Sequence, residues 1–230
     1  MSGFFADYNR LFDEGHMAAF LEEKFASGKF PEAQRALAFA QEKHKTTPPR
    51  KGPGNVPYIS HPLMLTCHAM AMGLEDDVLL AALLLHDVTE DCKIPPAEMP
   101  VCGEAQEIVA LVSKPEKKED YNARKYFSAI AGNPKACMVK CIDRCNNLST
   151  MATAFSPEKM EEYIRETQTW YPRLMEIVKG VPEYNNAAWL LKYQIRSLIQ
   201  TVESFLNEKQ GNKDNSRGKG TCGEKSGKTE

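Results

Sequence analysis

The residues of this chain with the most chemical potential are the six from His86 to Asp91, His-Asp-Val-Thr-Glu-Asp. They follow the apolar run 78–85, which carries the segment toward the protein core. An ionised group that leaves water needs a charged partner or a metal ion, because an uncompensated charge there is strongly unfavourable. On a helix, Glu90 lies one turn after His86, and Asp91 lies one turn after Asp87. This spacing predicts a metal site with an acid/base group beside it.

Two further polar motifs are candidates to complete such a site. The string Pro-Tyr-Ile-Ser-His-Pro at 57–62 places His61 at the start of a predicted helix, where a neutral imidazole can face a cleft. A lone histidine in that position is more often a capping or packing residue. In the string 140–147, helical spacing aligns four polar residues in one stripe: Lys140, Asp143, Arg144 and Asn147. Polar stripes usually face solvent, but apolar residues on most other sides of this helix allow the stripe to face an internal cavity.

The elements that must position these motifs are predicted to be helical, since no segment alternates as a strand would. Predicted helices cover about 15–27, 31–45, 61–72, 76–87, 103–113, 120–131, 134–154, 157–179 and 183–207. The proline- and glycine-rich residues 46–57 read as a loop that carries Arg50 and Lys51. We expect a helical domain at 31–207, an N-terminal helical extension at 1–30 and a disordered polar tail at 208–230.

Composition limits the possible partners and location. The 230 residues, 42% of them hydrophobic, suffice for one domain with a substantial core. The net charge of −2 gives no reason to expect nucleic acid or an anionic membrane as a partner. The longest apolar run, 78–85, is far shorter than the roughly 20 residues of a membrane span, and the N-terminus lacks the basic region of a secretory signal. Seven cysteines, an odd number, fit a reducing cytoplasm.

The cysteines also suggest one local feature. Cys137, Cys141 and Cys145 recur every four residues and would line one helix face. A packed core face of reduced cysteines is the favoured interpretation, and a zinc site is the alternative.

Together the motifs resemble those of the HD metal-dependent phosphohydrolase superfamily, and more narrowly the hydrolase domain of the RelA/SpoT-type alarmone enzymes. The resemblance covers about residues 31–175, and the order and approximate spacing of the motifs also match. The supporting strings are Pro-Tyr-Ile-x-His-Pro at 57–62, Leu-His-Asp-Val-x-Glu-Asp at 85–91, Lys-x-x-Asp-Arg-x-x-Asn at 140–147 and Glu-Thr-x-x-x-Tyr at 166–171.

The resemblance implies an all-α HD-domain helical bundle with one bound Mn²⁺. The metal ligands that it implies are His61, His86, Asp87 and Asp143. It assigns the positioning of water and the transfer of protons to Glu90 and Asp91. The substrate contacts that it implies are Arg50, Lys51, Asn147 and Thr167.

The implied reaction is hydrolysis of the 3′-pyrophosphate of guanosine tetra- or pentaphosphate, (p)ppGpp, to GDP or GTP and pyrophosphate. We therefore expect a stand-alone small alarmone hydrolase of the stringent response, located in the cytoplasm. It would act on a small-molecule nucleotide, with no nucleic acid or membrane as partner.

Three departures from the family pattern leave the nucleotide base open. The interval from Arg50 to His61 is longer than in most bacterial bifunctional enzymes, Asn146 replaces a usual aromatic residue or histidine, and Ser149 stands where arginine is common. The alternatives are hydrolysis of (p)ppApp or NADPH, an antitoxin role, or a non-catalytic nucleotide sensor. The remaining alternative is a helical bundle without a functional site, in which the polar core residues only have their hydrogen bonds satisfied. The complete ligand and acid/base set argues against these last two.

Overall fold

The computed structural model describes residues 13–51 and 54–218, with side chains described up to residue 208. Across this part of the chain the regular structure is helical, with no strand, and the all-helical prediction is confirmed. The α-helices are α1 Glu14–Phe25, α2 Pro31–Lys43, α3 Ser60–Ala71, α4 Asp77–Leu85, α5 Val88–Cys92, α6 Gly103–Val112, α7 Ala123–Ile130, α8 Pro134–Ala154, α9 Pro157–Lys179 and α10 Asn185–Gly218. Short 3₁₀ turns lie at His44–Thr46, Pro96–Glu98, Lys118–Asp120 and Pro182–Tyr184.

Local capping signals explain why most helix starts lie close to their predicted positions. The Asp76 carboxylate accepts a hydrogen bond from the backbone of α4, and the Asn133 side chain accepts two from the first turn of α8. The Ser156 hydroxyl does the same for α9. These side chains satisfy backbone N–H groups that have no partner within the helix. Proline stands at the first position of α2, α8 and α9, where its missing N–H costs nothing.

Helix α4 is the centre of the core. Every side chain from Leu79 to Leu85 is fully buried, and the helix packs against α2, α3, α6 and α8. A helix that is apolar on all sides is stable only when neighbours surround it. Its C-terminal end therefore delivers His86 and Asp87 to the protein interior.

The chain does not continue as one helix through the His-Asp motif. Helix α4 ends at Leu85 and the separate short helix α5 begins at Val88, with His86 and Asp87 between them. The Asp91 N–H still donates to the Asp87 carbonyl oxygen at 2.9 Å. The one-turn relation from Asp87 to Asp91 is thus kept, whereas the one from His86 to Glu90 crosses the break.

Helix α1 shares the core of the following helices rather than standing apart from it. Met17, Leu21 and Phe25 on one of its faces are buried, and the helix packs against α2 and α3. Residues 1–12 of the predicted N-terminal extension lie outside the described residues.

The last helix is longer than predicted. Helix α10 runs to Gly218, beyond the predicted helix end at about residue 207, and the disordered tail at 208–230 stays a prediction. Its buried residues recur at helical spacing up to Leu206. Beyond that point a formed helix can still propagate, since each added residue gains a backbone hydrogen bond without a new nucleation step. The remainder of the predicted tail, 219–230, lies outside the described residues.

The cysteine stripe of α8 is buried. Cys137, Cys141 and Cys145 face the core, at most 4% exposed, and burial raises the pKa of Cys137 and Cys145 to about 12. They therefore remain thiols and pack as small apolar groups. In the part of the chain that the structure describes, no helix is long and apolar enough to cross a membrane.

Candidate active site

The ends of α3 and α4 and the middle of α8 bring the four predicted metal ligands together. His61 Nε2 lies 3.3 Å from Asp143 Oδ1 and 3.6 Å from Asp87 Oδ2. His86 Nε2 lies 3.1 Å from Asp87 Oδ2 and 3.8 Å from Asp143 Oδ1. The ligand atoms of His61, His86 and Asp143 are all within 4.8 Å of one another, close enough to share one cation.

The donor set of this cluster fits a divalent metal ion. His86 Nδ1 lies 2.9 Å from the Leu83 carbonyl oxygen, which can only accept a hydrogen bond. The proton of a neutral His86 therefore sits on Nδ1, and its lone pair on Nε2. This Nε2 atom is buried and makes no hydrogen bond within the described residues. Two imidazole nitrogens with two carboxylates form a mixed nitrogen and oxygen site, which divalent first-row metals accept.

The electrostatics of the cluster keep both carboxylates ionised. Burial alone would favour the neutral acid, but Lys140 and the two imidazoles hold the pKa of Asp143 well below its usual range. Burial disfavours a charged His86, yet the Asp87 and Asp143 carboxylates outweigh it and raise the pKa of His86 to about 9. Burial lowers the pKa of His61, which keeps that imidazole neutral at neutral pH. The two ionised carboxylates attract a cation, and a metal ion that binds His86 Nε2 displaces the proton held there.

The predicted acid/base pair lies beside the cluster on α5. Glu90 Oε1 accepts a hydrogen bond from the backbone N–H of Lys114 at 2.8 Å. Burial raises the pKa of both Glu90 and Asp91, and the nearby Asp87 carboxylate raises the pKa of each further. A carboxyl group whose pKa moves toward neutrality is better suited to accept and return a proton near pH 7.

A cavity of about 620 Å³ opens over the ligands and the acid/base pair. This volume is in the range of small-molecule sites. Its wall carries a set of cationic side chains that suits a polyphosphate: Arg50, Lys51, Lys114, Lys140 and Arg144. Arg50 Nη2 donates to Asn147 Oδ1 at 2.9 Å, and Asn147 Nδ2 donates to Asp143 Oδ1 at 2.5 Å. The predicted contacts Arg50, Lys51 and Asn147 are therefore brought to the site.

Thr167 is not brought to this cavity. Its side chain is buried, and its hydroxyl donates to the Tyr163 carbonyl oxygen at 2.7 Å and accepts from Arg144 Nη1 at 3.3 Å. The Arg144 guanidinium also stacks over the Tyr163 and Tyr171 rings, at 3.6 and 4.6 Å from their centroids, and pairs with Glu166. The structure thus places Thr167 as a support for Arg144 rather than as a direct wall residue.

Three residues that hold the ligands were not predicted to do so. Lys140 Nζ lies 3.0 Å from Asp143 Oδ2, and Tyr58 Oη donates to Asp87 Oδ2 at 2.7 Å. Asn146 Oδ1 lies 2.8 Å from His61 Nδ1. The three-residue helical spacing from Lys140 to Asp143 was a usable signal, but the other two contacts depend on packing between distant segments.

The place of Asn146 also changes how one departure from the family pattern is understood. The sequence suggested that a substitution here bears on the nucleotide base more than on the metal. Its side chain lines the cavity and also contacts the predicted ligand His61, so this substitution bears on the metal cluster as well as on the nucleotide pocket.

Comparison with known proteins gives relatives by sequence and by fold, although no protein-family model matches the chain. It is 31% identical over 192 residues to the guanosine-3′,5′-bis(diphosphate) 3′-pyrophosphohydrolase of Aquifex aeolicus, covering 79% of this chain and 26% of the relative. It is 34% identical over 128 residues to the bifunctional (p)ppGpp synthase/hydrolase SpoT of Escherichia coli, covering 51% of this chain and 18% of the relative. The chain thus spans about a quarter or less of the length of these relatives.

The similarity in fold, unlike the similarity in sequence, extends over nearly the whole of the protein compared. A solved metazoan orthologue of SpoT, described as hydrolysing ppGpp with a role in starvation responses, superimposes with a TM-score of 0.60 at 20% identity. The match covers 74% of this chain and 95% of the solved chain. In sequence and in fold, the chain is an HD-type relative of the RelA/SpoT alarmone hydrolases.

Proposed function

We propose that this chain hydrolyses the 3′-pyrophosphate of (p)ppGpp and releases GDP or GTP together with pyrophosphate. The observation that carries the proposal is the meeting of His61, His86, Asp87 and Asp143 with two further acidic groups at one end of a cation-lined cavity. The similarity to a named (p)ppGpp 3′-pyrophosphohydrolase over most of the chain supports it.

We propose Mn²⁺ as the ion of the cluster, held by His61, His86, Asp87 and Asp143. The donors are nitrogen and oxygen, and among the described residues no cysteine belongs to the cluster, which favours such an ion over one that prefers thiolates. When bound, the ion supplies positive charge that polarises a phosphoryl group and makes nearby water more acidic.

Glu90 and Asp91, the acid/base pair, then act in the transfer of the pyrophosphoryl group to water. The oxygen of water forms a bond to the phosphorus attached to the ribose 3′-oxygen, and the bond from that phosphorus to the 3′-oxygen breaks. Glu90 accepts the proton that the water loses, and Asp91 holds the water in line. The 3′-oxygen leaves with a proton and becomes a hydroxyl, so that the nucleotide keeps its 5′-phosphates and pyrophosphate departs.

The cationic wall provides the binding of the phosphates. Arg50 offers paired N–H donors to phosphate oxygens, while Lys51 and Lys114 act as point charges. Asn147 is proposed to contact the sugar, since it lies between Arg50 and Asp143. Thr167 would act on the substrate only through Arg144.

We also propose a cytoplasmic location. The six described cysteines are all free, which suits a reducing compartment.

A substrate panel tests the proposal. The purified chain is incubated with Mn²⁺ and ppGpp, pppGpp, ppApp or NADPH, and anion exchange resolves the products. We expect GDP from ppGpp, GTP from pppGpp, and pyrophosphate from both. If only ppApp or NADPH is turned over, the proposed guanosine substrate is wrong and that nucleotide takes its place. Nucleotide binding without any turnover would contradict the enzyme and favour a sensor.

A further inference from the structure

The two ligand imidazoles are oriented by different kinds of partner. His86 Nδ1 lies 2.9 Å from the carbonyl oxygen of Leu83, in the last turn of α4, which directly precedes His86. His61 Nδ1 lies 2.8 Å from a side-chain oxygen, Asn146 Oδ1, which comes from α8. The first contact is made to a backbone carbonyl, which no side-chain substitution removes, whereas the second depends on the side chain of Asn146.

The chemistry of the second contact decides where the His61 proton sits. A neutral imidazole carries one N–H and one lone pair, and the hydrogen bond made by one nitrogen sets the state of the other. The Asn146 carbonyl oxygen can only accept, so the proton lies on His61 Nδ1. The lone pair is then on His61 Nε2, the atom that lies 3.3 Å from Asp143 Oδ1 within the ligand cluster.

Helix α8 links this contact to a second ligand. The same helix supplies Asp143 as a ligand and Asn147 as the donor that holds it. Asn146 and Asn147 are neighbours, and each holds a different ligand, one from α3 and one from α8. A shift of α8 would therefore disturb two ligands at once.

We propose that Asn146 is a positioning residue that fixes His61 as its Nδ1–H tautomer and thereby sets the affinity of the cluster for a divalent cation. The proposal rests on the metal site of the proposed function but not on its substrate. Residues that hydrogen-bond a metal-binding histidine through its other ring nitrogen, the one that does not contact the metal, typically contribute roughly 10- to 100-fold to metal affinity.

Three variants isolate the contact. Asn146→Leu removes the acceptor and keeps the approximate size of the side chain. Asn146→Asp restores an acceptor of the same shape, and carboxylates commonly hold metal-binding histidines. Ser149→Ala serves as the control, because Ser149 is an exposed residue of the same helix whose hydroxyl bonds only to the Asn146 backbone oxygen among the described residues.

The first measurement is calorimetric titration of the metal-free full chain with Mn²⁺ alone. We expect Asn146→Leu to bind Mn²⁺ roughly tenfold or more weakly than wild type. Asn146→Asp should bind at least as tightly as wild type, and Ser149→Ala should match it. Wild-type affinity in Asn146→Leu would overturn the proposal, and so would a loss in Asn146→Asp equal to that in Asn146→Leu.

The second measurement does not depend on the variants folding. Nitrogen-15 NMR of the His61 ring in metal-free wild type should show Nδ1 protonated and Nε2 unprotonated. A proton on Nε2 would overturn the proposal. Wild type that binds Mn²⁺ with this tautomer but hydrolyses no nucleotide would refute the proposed function alone, whereas wild type that binds no Mn²⁺ would overturn both.

Discussion

The cavity has two ends that are built in different ways. At the ligand end, formed by His61, His86, Asp87 and Asp143, the two imidazoles and Asp143 are buried, and each of the four side chains is held by a further residue. At the loop end, Arg50 and Lys51 come from the irregular segment between α2 and α3. Arg50 there is partly exposed, and Lys51 is exposed.

This difference separates two tasks. Buried groups that are held by hydrogen bonds and ion pairs keep the reacting groups in place, where electrostatic effects are strongest. An exposed loop can adjust to the phosphates of a flexible nucleotide. Changes at the ligand end should therefore act on metal content and kcat, whereas changes at the loop end should act on KM.

The largest effect is expected when a ligand is neutralised. Asp87→Asn removes a negative charge from the cluster and should abolish Mn²⁺ binding, with kcat/KM for ppGpp falling about 1000-fold or more, since a catalytic metal contributes several kcal/mol to the transition state. Metal analysis of the purified protein and steady-state rates check this. Normal metal content in Asp87→Asn would remove Asp87 from the ligand set.

The next largest effect is expected at the acid/base pair. Glu90→Gln should keep Mn²⁺ and lose about 100-fold in kcat, since a general base typically contributes two to four orders of magnitude. In wild type the rate should fall as the pH drops through the raised pKa of Glu90, because the base must be deprotonated.

That acidic limb should disappear in Glu90→Gln. The exposed Glu107→Gln on α6 is the matched control and should resemble wild type in rate and pH profile. If Glu90→Gln loses metal as completely as Asp87→Asn, the division between ligand and base is wrong.

His44 lies at the border between the two ends and gives a stability test. Its ring is buried and stacks on Tyr58, which holds Asp87. Burial lowers the pKa of His44 to about 4 from an ordinary 6.5. The unfolded chain therefore takes up a proton between these values that the folded chain refuses, so that stability should decline as the pH falls from 6.5 to 4.

His44→Gln should remove this part of the pH dependence, on the order of 2 kcal/mol of unfolding free energy. Urea unfolding of both proteins at pH 7 and pH 4.5 measures the difference. If the unfolding free energy changes equally between pH 7 and pH 4.5 in wild type and variant, His44 is protonated in the folded protein as well.

The loop end should respond through KM. Arg50→Ala should raise KM for ppGpp about tenfold or more with little change in kcat, since a charge-assisted hydrogen bond contributes roughly 1.5–3 kcal/mol. Lys45→Ala is the control, because Lys45 is exposed and pairs with Glu42. A fall in kcat with unchanged KM would place Arg50 at the ligand end instead.

The smallest effect is expected at Thr167. Thr167→Val removes the hydroxyl that accepts from Arg144 but keeps its size. A loss of about fivefold or less in kcat/KM is expected, since Arg144 keeps its contacts with Glu166 and Tyr163 and loses one long hydrogen bond of about 1 kcal/mol or less. A loss as large as that of Arg50→Ala would restore Thr167 as a direct substrate contact.

Features that depend on residues close together in the sequence could be predicted, whereas features that depend on distant residues could not. Asp76, Asn133 and Ser156 mark helix starts through contacts within three residues, so most helices were placed closely. The contact of Asn146 with His61 joins residues 85 positions apart and depends on how α3 meets α8.

Two differences from the predictions have separate physical causes. Thr167 is buried beneath Arg144 because α9 packs along α8, which no local pattern reveals. The helical extension of α10 past residue 207 was missed because composition reports on burial and not on the growth of a helix that already exists.

The most direct test of the central claim is a Mn²⁺ titration of ppGpp hydrolysis, with GDP and pyrophosphate resolved by anion exchange. Wild type should release both products in proportion to bound Mn²⁺, Glu90→Gln should bind the ion with little release, and Asp87→Asn should do neither. Release of GDP and pyrophosphate by Asp87→Asn at the wild-type rate would contradict the account.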